Sequence, residues 1–491
     1  MKLSEMKNKL LEKESIKEVN ERRISSLKEK FLKGNKEEGK ENASKLLVSL
    51  NSVNLNSYSN DSNYNLDDLK IIGVSGSKGK STVAKIIHEY LKSIGKKSIL
   101  YSSVEIDSFA SIKDKNVACE RALASENTLL DIIEEAEAYE SEYLILEVND
   151  TAIYNGLVND IPFDVKVLTN IHKKNSNEFF DENEYFNLKK SFITDVDKNK
   201  NCKCVLSLSD QYTIQEYNDL IRACKGEAIT CGTKYLCEVF KVDNSNLDYM
   251  LFSGEGSRLN SLKGIKFNVR CNNQIYEINS KLIFSFSALN ILNAISVLDT
   301  LKVFDVDKFN NLLEKIVVDG RDELIYANGR YILIGISLMP HLELLNTMKI
   351  NNEFKKLKLL TASIGEGFIT WDKSFTSEKR LSKIHDIRKE AMNYVDKYSD
   401  FTVLTTNDPG SSNKNDILNE LISYFDDTSN ISVIPDRIEA IKHIIKESEI
   451  GDLIYISGRG NRNVFCNTYE EMQIYTDKEI VMKEIKNKGW I

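Results

Sequence analysis

Short apolar runs alternate along this chain with longer stretches in which apolar positions recur every three or four residues. The run from Leu69 to Val74 predicts a buried strand, and Val83, Ile86, Ile87, Tyr90 and Leu91 follow it at helical spacing. Ser98–Ser102, Tyr143–Val148 and Val165–Asn170 predict further strands, with an acidic helix over 127–140. Strands alternating with helices predict an α/β fold with a doubly wound parallel sheet. Over 235–285 the pattern changes to short alternating runs separated by turn residues, beginning at Phe240, Met250, Ile265, Ile275 and Leu282. They predict a small antiparallel patch, after which an apolar helix starts at Ser287. Beyond 318, strand-like runs at Tyr331–Ile336, Lys358–Ser363, Phe401–Thr405, Ile431–Ile434 and Leu453–Ser457 alternate with helical stretches at 341–349, 378–397, 415–425 and 436–447. This predicts a second α/β domain of Rossmann-like kind.

The first 66 residues follow neither pattern. Residues 1–45 are dense in Lys and Glu with spaced Leu, Ile and Val, which predicts a solvated amphipathic helix or helix pair. Packing on the body as a surface arm is the plainer role for it, and binding a protein partner the sharper one. Residues 51–66 are rich in Asn and Ser and read as a linker. The expected organisation is a helical extension and linker over 1–66, a central domain over 67–317 and a C-terminal domain over 318–491.

Composition narrows the classes of function. A net charge of −8 over 491 residues does not suit a chain built to lie on nucleic acid or an anionic membrane. No stretch of about twenty apolar residues predicts a membrane span. The eight cysteines are scattered, and the one close pair, Cys202-Lys-Cys204, is too tightly spaced for a zinc knuckle. Reduced structural thiols in a cytoplasmic protein are the expectation.

Chemistry concentrates behind the first strand, in Gly73-Val-Ser-Gly-Ser-Lys-Gly-Lys-Ser-Thr82. Strand, glycine loop and helix in this order form a phosphate cradle. Backbone N–H groups of Gly76, Ser77, Lys78 and Gly79 and the helix start at Lys80, Ser81 and Thr82 face the anion. Lys80 neutralises charge on the terminal phosphates of such a ligand and the Ser81 hydroxyl is a candidate Mg²⁺ ligand. The position of the usual first glycine holds Val74, so the loop is a variant. Glu147, at the end of another predicted strand, suits the same metal, because ligands of such sheets lie at the carboxyl ends of strands. A glycine-rich turn and a strand-end surface charge are the plain alternatives for these two features.

From about residue 70 onward the order of motifs resembles the Mur ligase family of ATP-dependent amide ligases. The resemblance runs through the glycine loop, Leu146-Glu147-Val148, Pro162–Asn170, Glu184–Lys189, Asn290 with Asn293, Gly320-Arg321 and Asp436–Ile441. It implies an acid–amino acid ligase that activates a carboxylate as an acyl phosphate, possible work in peptidoglycan peptide synthesis, and small-molecule carboxylate and amine substrates. It further implies Glu147 as a Mg²⁺ ligand and Asn290 on the adenine side. Lys189 falls on a lysine that is carbamylated in several members and would then face a second Mg²⁺, and Arg321 on an arginine that reaches the nucleotide.

Departures accompany the matches. Where the family has a metal-binding histidine this chain has Asn175, with His172 close by in sequence. The family's C-terminal signatures are reduced to Gly335–Pro340, Asn407-Asp-Pro-Gly410 and Gly458-Arg-Gly-Asn-Arg462, and residues 1–66 do not resemble its uridine-nucleotide domain. Amino-acid selection is thus rewritten while ATP handling is kept. The second reading is a nucleotide-binding homologue that has lost ligation and serves as a partner or regulatory protein.

Overall fold

The computed structural model describes residues 2–12, 65–107, 126–172, 182–194, 201–224, 227–241, 247–271, 274–362, 377–407, 413–466 and 472–491. The chain forms two compact units, Met1–Leu259 with Gly264–Ile316, and Asn260–Lys263 with Val317–Ile491.

The first unit is organised around β1 (Lys70–Ser75), β2 (Ser98–Tyr101), β3 (Ile106–Asp107), β4 (Tyr143–Glu147), β5 (Val165–Leu168), β6 (Lys203–Leu208), β7 (Glu227–Thr233), β8 (Tyr249–Phe252), β9 (Ile265–Cys271) and β10 (Gln274–Ser280). They form one 10-stranded sheet in the order β10-β9-β8-β7-β6-β5-β1-β4-β2-β3. From β8 to β2 neighbouring strands are parallel, whereas β9, β10 and β3 join antiparallel at the edges. The predicted antiparallel patch is therefore a continuation of the main sheet.

Alternation along each strand divides the core in two. Ile72, Val74, Ile145, Val167 and Val205 face one side, with the helices Lys80–Ser93 and Ser285–Thr300. Ile71, Leu144, Leu146, Leu168 and Leu206 face the other, with the helices Glu126–Ala138 and Glu182–Thr194. Each fully buried aliphatic side chain contributes roughly 1.5–3 kcal/mol, and covering both faces is what makes these strands near-continuous apolar runs. Gly73 is set by this packing: a Cβ there would lie 2.5 Å from the Phe163 ring and 3.0 Å from Phe192.

Two predicted strands are corrected. Phe240 ends a helix, Lys234–Phe240, because the Thr233 side chain caps its start and Lys241, at φ 55°, closes it. Leu282–Phe284 leads into the Ser285–Thr300 helix with Phe284 as its N-cap residue. Strands β6 and β7 were not predicted, since Cys, Ser, Thr and Gly break up their apolar pattern.

At the N-terminus a helix spans Leu3–Glu12. Leu3 and Met6 are buried in the same cluster as Leu129, Ile132 and Ile133, and the Ser4 hydroxyl donates to Asp67 at 2.9 Å. This stretch packs on the body as an arm. Residues 13–64, which hold the rest of the expected extension, its offered partner-binding surface and most of the linker, lie outside the described residues.

The second unit holds a 6-stranded sheet in the order β11-β12-β16-β13-β14-β15. Its strands are β11 (Glu323–Ala327), β12 (Arg330–Ile334), β13 (Leu357–Ala362), β14 (Phe401–Thr405), β15 (Ile431–Val433) and β16 (Leu453–Ile456), parallel except for β11. A hairpin of β17 (Val464–Cys466) and β18 (Met472–Ile474) and a final helix, Asp477–Asn487, were not foreseen. That helix is locked by a capping box between Thr476 and Glu479 and by a fully buried ion pair in which Arg437 donates to both oxygens of Asp477, at 2.8 and 2.7 Å.

Candidate functional site

The first unit gathers its polar residues at the carboxyl ends of β1, β4 and β5, where the strand order reverses: the chain runs from β1 to β2 on one side, returns through β4 and then builds outward from β5. Behind β1 the backbone turns through Gly76 at φ 141° and Gly79 at φ 83° before the helix begins at Lys80. Both positions need glycine. A Cβ at Gly76 would lie 2.0 Å from Thr169 Oγ1, and one at Gly79 2.1 Å from Asn290 Oδ1.

The end of β5 braces this loop from outside. Asn170 accepts from Ser77 N at its carbonyl (3.1 Å) and from Lys78 N at its side chain (2.8 Å), while Thr169 Oγ1 donates to the Lys78 carbonyl at 2.6 Å. Ser77 Oγ accepts from the backbone N–H of His172 at 2.9 Å and meets the Tyr185 hydroxyl at 2.9 Å. The loop is thus pre-formed, with its fixing contacts supplied by residues that the glycine pattern does not contain.

Lys80 Nζ donates to the Gly76 carbonyl at 3.0 Å. The buried Ser81 and Glu147 converge through a third residue: Ser81 Oγ lies 3.2 Å from Ser103 Oγ, and Ser103 donates to Glu147 from its backbone at 2.8 Å and its hydroxyl at 3.0 Å. These are oxygen donors only, one of them anionic, a set that fits Mg²⁺. Among the described residues the His/Asp/Glu grouping His88, Glu89 and Asp107 also has a metal-like arrangement. It is already neutralised, because Lys85 pairs with Glu89 at 2.8 Å and Lys92 with Asp107 at 2.5 Å.

Lys189 is fully buried, on the helix Glu182–Thr194. Its ammonium donates to the Gly76 carbonyl at 2.9 Å and pairs with Asp150, the first residue of the short helix Asp150–Tyr154. Burial pulls its pKa down to about 8, against the opposing pull of Asp150. Lys189 is therefore an interior residue and not an ordinary surface lysine.

Of the residues singled out from the sequence, Gly76, Ser77, Lys78, Gly79, Lys80, Ser81, Thr82, Glu147, Lys189 and Asn290 all belong to the first unit, and contacts through the loop tie Gly76–Ser81, Glu147, Lys189 and Asn290 together. Asn293, one turn beyond Asn290, accepts from the Cys231 thiol at 3.1 Å, a packing role. Asn175 and Asp408–Gly410 lie outside the described residues. Ser103, Asp150 and the Thr169–Asn170 brace were missed. For Asp150 a signal existed, an acid three residues past Glu147 at the start of a helix.

Arg321 belongs to the second unit, where it donates to Asn461 Oδ1 at 3.0 Å. The reduced C-terminal motifs come together there at the carboxyl ends of the parallel strands. Gly458 N donates to the Gly335 carbonyl at 3.1 Å, Asn407 donates to the Gly458 carbonyl at 3.4 Å, and a Cβ at Gly320 would lie 2.0 Å from Asn461 N. Asp322, at φ 57°, accepts from His341 Nε2 at 2.7 Å.

Cys202, Cys204, Cys224, Cys231, Cys237 and Cys271 are free and buried, and among the described residues no helix is long and apolar enough to cross a membrane.

Comparison with known proteins agrees with this layout. The Mur ligase middle domain matches residues 74–298. A UDP-N-acetylmuramoyl-L-alanyl-D-glutamate–2,6-diaminopimelate ligase of Syntrophomonas wolfei is 23% identical over 424 residues, covering 86% of this chain and 79% of the relative. Its counterpart in Caldanaerobacter subterraneus is 24% identical over 426 residues, covering 85% and 76%. In structure the fold is shared with the MurF ligase of Thermotoga maritima solved with ADP, at a TM-score of 0.56 and 16% identity over 85% of this chain and 81% of that one. The chain is thus similar to the Mur ligases over most of its length, and residues 74–298 match their middle domain.

Proposed function

We propose that this chain is an ATP-dependent ligase that joins a carboxylic acid to an amine, forming an amide through an acyl phosphate. The observation that carries this reading is the convergence of a pre-formed glycine loop, Lys80, Ser81 and Glu147 at one sheet switch point. Relatives named as ligases of muramyl peptides and a fold neighbour solved with ADP support it.

Little covalent work falls to the protein in such a reaction. A substrate carboxylate oxygen attacks the γ-phosphorus of ATP and ADP departs; the amine then attacks the acyl carbon and phosphate departs. Catalysis is positioning and charge stabilisation. The N–H groups of Gly79 and of the first helical turn hold the phosphate oxygens, those of Ser77 and Lys78 being taken up by Asn170, and Lys80 follows the charge that gathers on the transferred group. Ser81 and Glu147 would hold Mg²⁺, which screens the phosphate charges when bound. Asn290, packed on Gly79, sets the floor on the nucleotide side of the loop. The setting expected is the cytoplasm, where ATP is supplied, and peptidoglycan peptide synthesis is the proposed context.

The test is a phosphate-release screen across pairs of carboxylates and amino acids with Mg²⁺ varied. Release that requires acid, amine and Mg²⁺ together establishes the ligase. ATP binding without release for any pair would establish the non-catalytic homologue instead.

A further inference from the structure

The face of the helix Lys80–Ser93 that begins with Ser81 continues at helical spacing with Lys85, His88 and Lys92. Each of these side chains meets the hairpin of β2 and β3, and the contacts follow one another in order along the helix. Ser81 Oγ lies 3.2 Å from Ser103 Oγ, Lys85 pairs with Glu105, and Asp107 accepts from His88 Nε2 at 3.1 Å and pairs with Lys92 at 2.5 Å. Lys85 also holds Glu89 at 2.8 Å, and His88 Nδ1 lies 2.9 Å from Ser98 Oγ in β2. The turn between the two strands is closed on itself. Ser102 N donates to the Glu105 carbonyl at 3.0 Å, and Ser102 Oγ accepts from Glu105 N at 3.1 Å. Ser103, inside that turn, therefore moves only with Glu105, and Glu105 is tied to Lys85.

Ser103 in turn governs a carboxylate. Glu147 is buried, and a buried carboxylate needs donors or a cation to keep its charge. Ser103 donates to it from its N–H at 2.8 Å and from its hydroxyl at 3.0 Å. The same hydroxyl lies beside Ser81 Oγ, so one side chain spans the two oxygens that are offered to Mg²⁺. We propose that Ser103 is a positioning residue of the Mg²⁺ site, holding Glu147 toward Ser81 so that both reach one ion, and that Lys85 anchors it by fixing the β2–β3 turn to the helix that carries Ser81. This rests on the nucleotide-site reading above and extends it to residues outside the glycine loop. His88 and Lys92 secure β3 further along, at Asp107, which leaves Lys85 as the anchor nearest the site. Lys85 is suited to the task because it is itself buried, with both of its carboxylate partners at hand, and so keeps one geometry.

The experiment measures ATP affinity of the full chain by calorimetry twice, once with Mg²⁺ and once with the metal removed by a chelator. The ratio of the two affinities reads the metal site apart from the phosphate loop. In Ser103→Ala and in Lys85→Met this ratio should fall about tenfold or more, the range for residues that orient metal ligands, while affinity without metal holds. Ser103→Thr, which keeps the hydroxyl, and Lys85→Arg, which keeps the charge, should restore much of it. Where Lys85→Met does not fold, Glu105→Gln carries the same expectation, since it keeps the shape of the latch and weakens its charge. An unchanged ratio in Ser103→Ala or at the latch overturns the proposal. So does an equal loss with and without metal, which is the mark of a merely structural role. Glu147→Gln separates the two levels. If it leaves the ratio intact, the reading of the metal site itself fails. If it lowers the ratio and Ser103→Ala does not, only the role of Ser103 and Lys85 fails.

Discussion

The two units carry loops of similar construction put to different use. In each, glycines at positive φ cluster behind the carboxyl ends of parallel strands: Gly76 and Gly79 in the first, Gly320, Gly458 and Gly460 in the second. In the first unit the charged groups point at the loop, with Lys80 and Lys189 on one carbonyl and Glu147 held by Ser103. In the second unit the arginines are consumed by the fold. Arg437 is locked to Asp477 and to the Ser457 carbonyl, Arg459 donates to the Arg462 carbonyl and lies over the Tyr475 ring, and Arg321 donates to Asn461. Charge near a glycine loop therefore does not by itself mark a ligand site; what matters is whether the charge is already committed.

The comparison can be broken by mutation. The largest effect is expected in the second unit. Arg437→Met leaves Asp477 buried without its partner and should cost about 3–5 kcal/mol of stability, read as a lowered denaturation midpoint. A negligible shift would show that this arginine is not committed to the fold. Next, Lys80→Ala should reduce ATP turnover at least about a hundredfold while the melting temperature holds, the opposite signature. Glu147→Gln keeps the shape and removes the charge. It should raise the Mg²⁺ needed for half-maximal phosphate release by about tenfold or more, and a change confined to thermal stability would make Glu147 structural. The smallest effect is Thr476→Ala, which opens the capping box of the last helix and should cost about 1 kcal/mol with no change in Mg²⁺ dependence.

What the sequence made legible follows the same division. Strand, glycine loop and helix are contiguous, so local pattern was enough to find Gly76 through Thr82 and to predict their geometry. Glu147 was legible because it ends an apolar run. Ser103, Asp150 and Thr169–Asn170 were not, because each reaches the loop from a different strand end and only the sheet order brings them together. The buried state of Lys189 was hidden for a related reason: its helix carries Glu, Asn and Lys, and only packing against β1 and β5 shows which face is inside. In the second unit Arg459 stood inside a reduced family signature, beside Arg462 at an altered substrate-reading position. Arg459 proves to be an interior residue, which no local pattern announces.

Gly73 gives the loop a history as well as a shape. It heads the glycine pattern, yet the requirement on it comes from the Phe163 ring packed against its backbone and not from any anion. Two selections are therefore superimposed in one string of glycines. Relatives in which position 73 carries a side chain should have a smaller residue at 163, so the two positions are expected to vary as a pair, independently of Gly76 and Gly79. A glycine motif of this kind is a record of two separate constraints, and only one of them concerns the nucleotide.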